Sequence, residues 1–293
     1  MAPGGSERPA GGRWPGAATT VVGVMGDPVA HSLSPLLHNT AFGALGLDWV
    51  SVGLPVPAGA APAAIAGARA LGFAGLSVTM PHKSAVARLV DERTPLAERL
   101  GAVNCVVRSG GRLVGENTDG TGFLASLQRG AGFDPEGRRC LVVGAGGAAR
   151  AVVLSLGLAG AAEVVVVNRT RHRAVDVAEL AGPAGRAGEA AEAEEMDLVV
   201  DATPVGMGGT EPGTGAPLVD PARLHAGQLV SDLVYHPLVT PWLRAAAGRG
   251  ATIVGGLGML VHQAALQLEL WTGRQPPVEA MWNAAARRVG SEG

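Results

Sequence analysis

The 293-residue chain is poor in several residue types: two cysteines, one tyrosine, four phenylalanines and, among its 23 basic side chains, one lysine. Cys105 and Cys140 stand in unrelated contexts, so neither a disulfide framework nor a zinc-ligand spacing is present. That usage fits a reducing, cytoplasmic setting. Only 16% of residues are charged and the formal net charge is −2, with no basic run. This balance argues against nucleic acid as the main partner and favours small molecules. No run of about 18 uninterrupted apolar residues occurs; the longest candidate, Leu141 to Val167, is broken by Arg150 and by glycines. No membrane span is expected.

The missing lysines carry a further argument. A chain rich in Gly, Ala and Arg uses arginine wherever a surface cation is needed, so the one remaining lysine, Lys83, invites a chemical reason. An ammonium can give up its proton at accessible cost and a guanidinium cannot, which points to acid/base work. A leftover surface residue is the plainer reading.

What is abundant is apolar: 47% of the residues, with a mean hydropathy of +0.25, enough for one or two cores. Residues 1–18, rich in Gly, Pro and Ala, read as a disordered tail. Arg8 and Arg13 before Gly16–Met25 faintly resemble a signal peptide, but the β-branched run Thr20–Met25, ended by Gly26-Asp27-Pro28, reads better as a first strand. Strands at 49–55 and 75–79 alternate with helices at 35–45 and 60–71. A hairpin of 105–108 and 112–115 turns at Ser109-Gly110-Gly111, bringing Asn104 and Asp119 to one end of a sheet. Strands follow at 140–143, 163–167, 197–201, 228–233 and 251–254, interleaved with helices, and helices at 259–271 and 278–288 close the chain. Residues 182–195 read as a solvated connection or short helix. The pattern is α/β, mostly with parallel strands.

Leu141-Val142-Val143-Gly144-Ala145-Gly146-Gly147-Ala148-Ala149 is a strand, a glycine turn and a helix start that fit G-x-G-x-x-A. Gly144 permits the tight turn, Gly146 lets backbone approach a pyrophosphate, and Ala149 allows close helix packing. The helix N-terminus then offers free N–H groups to phosphate. At the end of the next strand an NAD site would carry a carboxylate; here stand Asn168-Arg169-Thr170, with Arg171 and Arg173 close behind. Guanidinium groups match a 2′-phosphate, so the expected cofactor is NADP. A tight strand-to-helix turn with solvated arginines is the simpler alternative.

Residues 26–39 contain Ser32 and Ser34 before Pro35, a helix start in which Ser34 reads as the cap; Ser32 has no such account. Two hydroxyls at a helix start suit a small carboxylate. His31 and His38 have no acidic or cysteine companion nearby, so no metal site is expected.

These segments, with Val78-Thr79-Met80-Pro81-His82-Lys83, Gly101-Ala102-Val103-Asn104, Asn117-Thr118-Asp119-Gly120, the Gly144–Ala149 turn, Asn168-Arg169-Thr170 and Gly256–Gln263, resemble the shikimate dehydrogenases in order and over nearly the whole chain. The resemblance implies two α/β domains. The substrate-binding catalytic domain, with a mostly parallel sheet, takes residues 19–120 with 256–293, and an inserted Rossmann-fold NADP-binding domain takes 121–255. It implies reduction of 3-dehydroshikimate to shikimate, on the way to chorismate and the aromatic amino acids, with Lys83 and Asp119 as catalytic pair. Ser32, Ser34, Thr79, Asn104, Tyr235 and Gln263 would bind substrate. Gly144, Ala145, Gly146, Gly147, Ala148, Asn168, Arg169, Thr170, Arg173, Thr203 and Gly256 would bind cofactor. The protein would be a monomer or homodimer. Three positions depart from the usual pattern: Ser77 for Asn, His82 where Phe is frequent, and Asp201 opening Asp201-Ala202-Thr203 in place of Asn. A quinate or aminoshikimate enzyme of the same family is the alternative, since few polar contacts read the ring. A non-catalytic NADP-binding regulator is a third reading.

Overall fold

The computed structural model describes residues 14–207 and 217–290. Of the expected tail, residues 1–13 lie outside the described residues, and 14–18 are exposed. The chain divides into two units, Met1–Asn117 with Ala264–Ala285, and Thr118–Gln263 with Ala286–Gly293. The changes of unit thus fall at 117/118 and within each of the two closing helices, at 263/264 and 285/286.

The first unit contains β1 (Thr20–Gly26), α1 (Ser34–Ala44), β2 (Trp49–Pro55), α2 (Ala61–Ala70), β3 (Gly75–Val78), α3 (Lys83–Ala87), β4 (Glu92–Arg93), α4 (Pro95–Leu100), β5 (Cys105–Ser109) and β6 (Arg112–Glu116). Its sheet runs β2-β1-β3-β5-β6-β4; β1 is parallel to β2 and β3, whereas β5 is antiparallel to both β3 and β6. Central strand β1 buries Val22, Val24 and Met25, as a strand covered on both faces must. The β5–β6 hairpin closes through Gly110 and Gly111, both at positive φ (55° and 83°), the backbone that a two-residue primed turn requires. Its register sets the Asn104 N–H on the Glu116 carbonyl at 3.0 Å.

The second unit contains α5 (Asp119–Ala131), β7 (Arg139–Val143), α6 (Gly147–Leu158), β8 (Glu163–Val167), α7 (Arg171–Ala178), β9 (Gly185–Ala187), β10 (Leu198–Asp201), β11 (Leu229–Asp232), α8 (Pro241–Gly248) and β12 (Thr252–Val254). All strands are parallel, in the order β12-β11-β10-β7-β8-β9. This is the doubly wound Rossmann arrangement, with its reversal between β7 and β10. The valine and leucine runs of β7, β8 and β10 are wholly buried, and Val142, Val164, Val166 and Val200 share one core with α6 and α7. Two closing helices follow, α9 (Leu257–Thr272) and α10 (Val278–Gly290). The part of α9 in the first unit docks by side chain to backbone: Gln267 Nε2 donates to the Asn104 carbonyl at 3.1 Å and Trp271 Nε1 to the Val106 carbonyl at 3.0 Å.

Two strands were not expected, β4 and β9. Residues 182–195, read as a solvated connection or short helix, contain β9 and a 3₁₀ helix over Ala190–Glu195. Strand β9 extends the sheet because Gly185 lets the backbone close on the Ala178 carbonyl, while Arg186 pairs with Glu163 at 2.7 Å. Among the described residues no helix is long and apolar enough to cross a membrane. Cys105 and Cys140 are free and buried, and burial raises both thiols, Cys140 to about 12.

Each unit buries titratable groups. In the first, His38 is wholly buried, its Nδ1 3.0 Å from Ser51 Oγ and its ring edge-on to Trp271 at 4.9 Å between centroids. Burial lowers its pKa to about 3 against a weaker opposing hydrogen bond to Gln267. In the second, Asp201 and Asp232 end neighbouring strands in register and are 2% and 1% exposed. Burial raises both, Asp232 to about 6, with the Asp201 charge adding to its shift.

The signs are opposite. His38 stays neutral in the fold while its unfolded counterpart protonates, so the first unit loses stability as pH falls below about 6.5, by up to ~1.4 kcal/mol per pH unit. Asp232, with Asp201 shifted in the same direction, takes up a proton in the fold that the unfolded chain has released. This pair's contribution to the second unit therefore rises as pH falls through the Asp232 value of about 6, against the opposite contributions of His262 and Glu192. Native-state hydrogen exchange is the measurement: opening free energies of the β1 amides should fall and those of β7 rise on acidification. His38→Gln should flatten the first trend and Asp201→Asn the second. Trends of the same sign in both strands contradict the assignment.

Candidate functional site

The glycine turn after β7 opens a cavity of about 350 Å³ in the second unit, at the carboxyl ends of β7, β8 and β10. Gly144 has φ +112°, a backbone that side chains rarely adopt, and a Cβ there would lie 3.2 Å from the Ala202 carbonyl oxygen. Its N–H donates to the Val167 carbonyl at 2.8 Å, tying the turn to β8. A Cβ on Gly146 would meet nothing within 4 Å, so its bare backbone borders open space where helix α6 begins. Ala149 is wholly buried, as close helix packing requires.

Seven expected cofactor residues line this cavity: Gly144, Ala145, Gly146, Asn168, Arg169, Arg173 and Thr203. Asn168 turns its amide onto the Thr170 carbonyl at 3.0 Å, shaping the corner that presents Arg169. Arg171 pairs instead with Glu189 at 2.8 Å on the exposed face of α7. Gly147, Ala148 and Thr170 are adjacent in the chain but not in the lining. Gly256 is away from it too; a Cβ there would collide with the Leu233 carbonyl, which is a packing reason for that glycine. The sequence reading missed Ala202, Pro204, Val205 and Leu218, the opposite wall. These are ordinary apolar loop residues without a spacing to betray them.

That wall is shaped by the departure at Asp201. Its Oδ1 accepts the Thr203 N–H at 2.8 Å, and on the next strand Asp232 Oδ1 accepts the Val234 N–H at 2.9 Å. The second oxygen of Asp232 accepts the Thr240 hydroxyl at 2.7 Å. Each carboxyl thus folds the chain back two residues on, as Asn does with the same oxygen, so the Asp-for-Asn change leaves the turn intact and adds a charge. Tyr235, just beyond Val234, is half-buried, and burial raises its phenol pKa.

In the first unit, Ser32, Ser34, Thr79, Lys83 and Asn104 all lie on segments that follow β1 and β3 or precede β5. Ser34 is not the cap of its helix. Helix α1 has Leu33 as its cap residue and no side-chain cap bond from it; the Ser34 N–H donates to Ser32 Oγ at 3.3 Å. Ser32, two residues earlier, therefore makes the serine contact to the helix start, and Ser34, 6% exposed, belongs to the helix. Thr79 is held by its N–H on the Met25 carbonyl at 2.9 Å, and Gly26 leaves room for its methyl group. Asn104 is 2% exposed, its carbonyl accepting from the Val78 N–H and from Gln267. Lys83 opens α3, its carbonyl accepting the Val103 N–H at 3.0 Å.

Asp119 and Gln263 fall in the second unit, 144 positions apart in sequence but on packed helices. The Thr118 hydroxyl donates to the Gln263 carbonyl at 3.1 Å, and a Cβ on Gly122 would lie 2.7 Å from the Gln263 nitrogen. Asp119 is 5% exposed at the start of α5. Among the described residues no group of three or more metal-ligating side chains is present.

Family models match three stretches: the shikimate dehydrogenase substrate binding domain over 24–106, shikimate / quinate 5-dehydrogenase over 127–205, and the shikimate 5′-dehydrogenase C-terminal domain over 256–286. A shikimate dehydrogenase (NADP(+)) of Methanopyrus kandleri is 48% identical over 283 residues, 93% of this chain and 97% of that one. The structure of shikimate 5-dehydrogenase from Thermus thermophilus in complex with NADP(H) and shikimate superposes with a TM-score of 0.85 at 41% identity, covering 92% of this chain and 99% of that one. A quinate dehydrogenase from Corynebacterium glutamicum in complex with NAD superposes at 0.83 with 31% identity, covering 92% and 99%. A chain with this glycine turn, this arginine-lined cavity and relatives that match it over 92–93% of its length belongs to the shikimate dehydrogenase family.

Proposed function

We propose that this chain is the NADP-dependent oxidoreductase that interconverts 3-dehydroshikimate and shikimate in the cytoplasmic route to chorismate and the aromatic amino acids. The observation that carries the cofactor choice is Arg169 and Arg173 lining the cavity at the end of β8, where an NAD enzyme keeps a carboxylate. The bare backbone of Gly146 and the start of α6 fit the pyrophosphate, and the two guanidinium groups fit the 2′-phosphate. The two free, buried cysteines suit a reducing compartment.

NADPH, when bound, supplies the hydride to the C3 carbonyl carbon. The chain's own groups handle the oxygen: the Lys83 ammonium stabilises the developing alkoxide and gives it a proton, and the Asp119 carboxylate orients the lysine. The lysine regains its proton from solvent. Ser32 and Ser34 hold the substrate carboxylate, assisted by Tyr235, and Thr79, Asn104 and Gln263 read the ring hydroxyls. The retained serines and Arg169 favour shikimate with NADP over quinate with NAD. An absorbance assay at the nicotinamide band, with shikimate and quinate each against NADP and NAD, tests this directly; turnover of quinate alone contradicts it.

Arg169→Ala should weaken NADP binding far more than NAD binding, because a charge-assisted contact is lost; equal losses by titration calorimetry refute the role. Ser32→Ala should raise the KM for shikimate with little change in kcat, since the carboxylate contact is nearly the same in ground and transition states. It should also lower stability by ~0.5–1 kcal/mol through the lost contact to the Ser34 N–H. An unchanged KM refutes the carboxylate assignment. Lys83→Met should lower kcat by at least ~10²-fold with NADPH affinity preserved, and Asp119→Asn should also cost heavily. The double variant should be little worse than the worse single one, and Lys83→Arg should not rescue. A Lys83→Met enzyme with near wild-type kcat at saturating shikimate ends the acid/base assignment.

A further inference from the structure

Three segments of the first unit are laced together by a short circuit of hydrogen bonds. The Thr79 N–H donates to the Met25 carbonyl at 2.9 Å, the Asp27 N–H to the Met80 carbonyl at 3.0 Å, and the Val56 N–H to the Gly26 carbonyl at 3.1 Å. These bonds join the end of β1 to the turn before α3 on one side and to the end of β2 on the other. The link that closes the circuit, from the α3 turn back to the end of β2, is made by a side chain: His82 Nε2 lies 2.7 Å from the Val56 carbonyl oxygen. The ring is buried, 2% exposed. A carbonyl only accepts, so Nε2 carries the proton and donates.

We propose that His82 is a positioning residue for Lys83: by fastening the α3 turn to Val56, its ring fixes where the lysine stands relative to the Asp27–Ser32 segment that starts at the same circuit. This rests on the reading of Lys83 as the proton donor. Helix α3 is five residues long, too short to hold its own start, and its cap residue makes no side-chain cap bond. That cap residue is His82, whose ring is committed to Val56 instead. Main-chain bonds at Thr79, Met80 and Lys83 are available to any sequence, so His82 is the point where the residue type decides how firmly the turn is held. A phenylalanine at this position fills the space but leaves the Val56 carbonyl without this donor.

The test compares His82→Phe, His82→Gln and His82→Asn. Glutamine places an amide N–H about where Nε2 stands; asparagine is too short to reach. Shikimate turnover by the wild-type enzyme, and its loss in Lys83→Met, settle the underlying reading first. Single-turnover NADPH formation then measures the rate constant of hydride transfer, which loss of folded molecules does not alter, since that lowers only the amplitude. The rate constant should fall by ~10- to 100-fold in His82→Phe and His82→Asn, as expected for a reacting group displaced by up to an ångström. His82→Gln should recover to within about threefold of wild type, and NADP affinity should stay unchanged in all three. A wild-type rate constant in His82→Phe overturns the proposal, as does a His82→Gln enzyme no faster than His82→Phe. Should His82→Phe fail to fold, equal rate constants for His82→Gln and His82→Asn overturn it.

Discussion

Strands β7 and β10 are hydrogen-bonded neighbours whose onward connections lead to opposite edges of the sheet, and the cofactor cavity depends on that divergence. Where two connections part, no chain covers the strand ends, and a crevice is left open at their carboxyl side. The glycine turn follows β7 and the Ala202–Val205 wall follows β10, so both sides of the cavity are set before any side chain is chosen. Gly144 is the point where the two sides meet, its α-carbon close to the Ala202 carbonyl. The arginines at the end of β8 then line one side of this crevice with positive charge.

Residues with one possible backbone or one possible charge were readable from sequence. Gly144 is such a residue, and so are Arg169 and Arg173, whose guanidinium groups stand where a carboxylate was the alternative. The hairpin at Gly110-Gly111 was readable for the same reason, since few residues tolerate two consecutive positive φ angles. Strand β9 was not, because a three-residue edge strand in an Ala, Gly and Glu-rich segment has no periodicity to detect. The apolar wall at Pro204, Val205 and Leu218 was equally silent, being placed by topology alone.

The serine pair shows a subtler limit. Ser34 before Pro35 fits the local rule for a cap, yet the bond to the helix start comes from Ser32. A local rule names the residue type and misses by two positions because helix starts shift by a residue or two with their tertiary setting. The Asp201 and Asp232 pair lies at a deeper level still: 31 residues separate them, and only strand register makes them neighbours. His82 is similar, since its partner, the Val56 carbonyl, carries no sequence signature at all.

The bonds from Gln267 and Trp271 to the hairpin backbone span 163 and 165 residues, which has a consequence for synthesis on the ribosome. The second unit's sheet is complete once β12 ends at Val254, whereas the carbonyls of Asn104 and Val106 wait for the last turns of α9. The first unit's hairpin therefore receives these bonds only after the second unit's sheet has been made. The hairpin face stays uncovered while the entire parallel sheet is made and folded, and domains ordinarily fold as units in the order they emerge. During that interval the uncovered hairpin face is open to premature association.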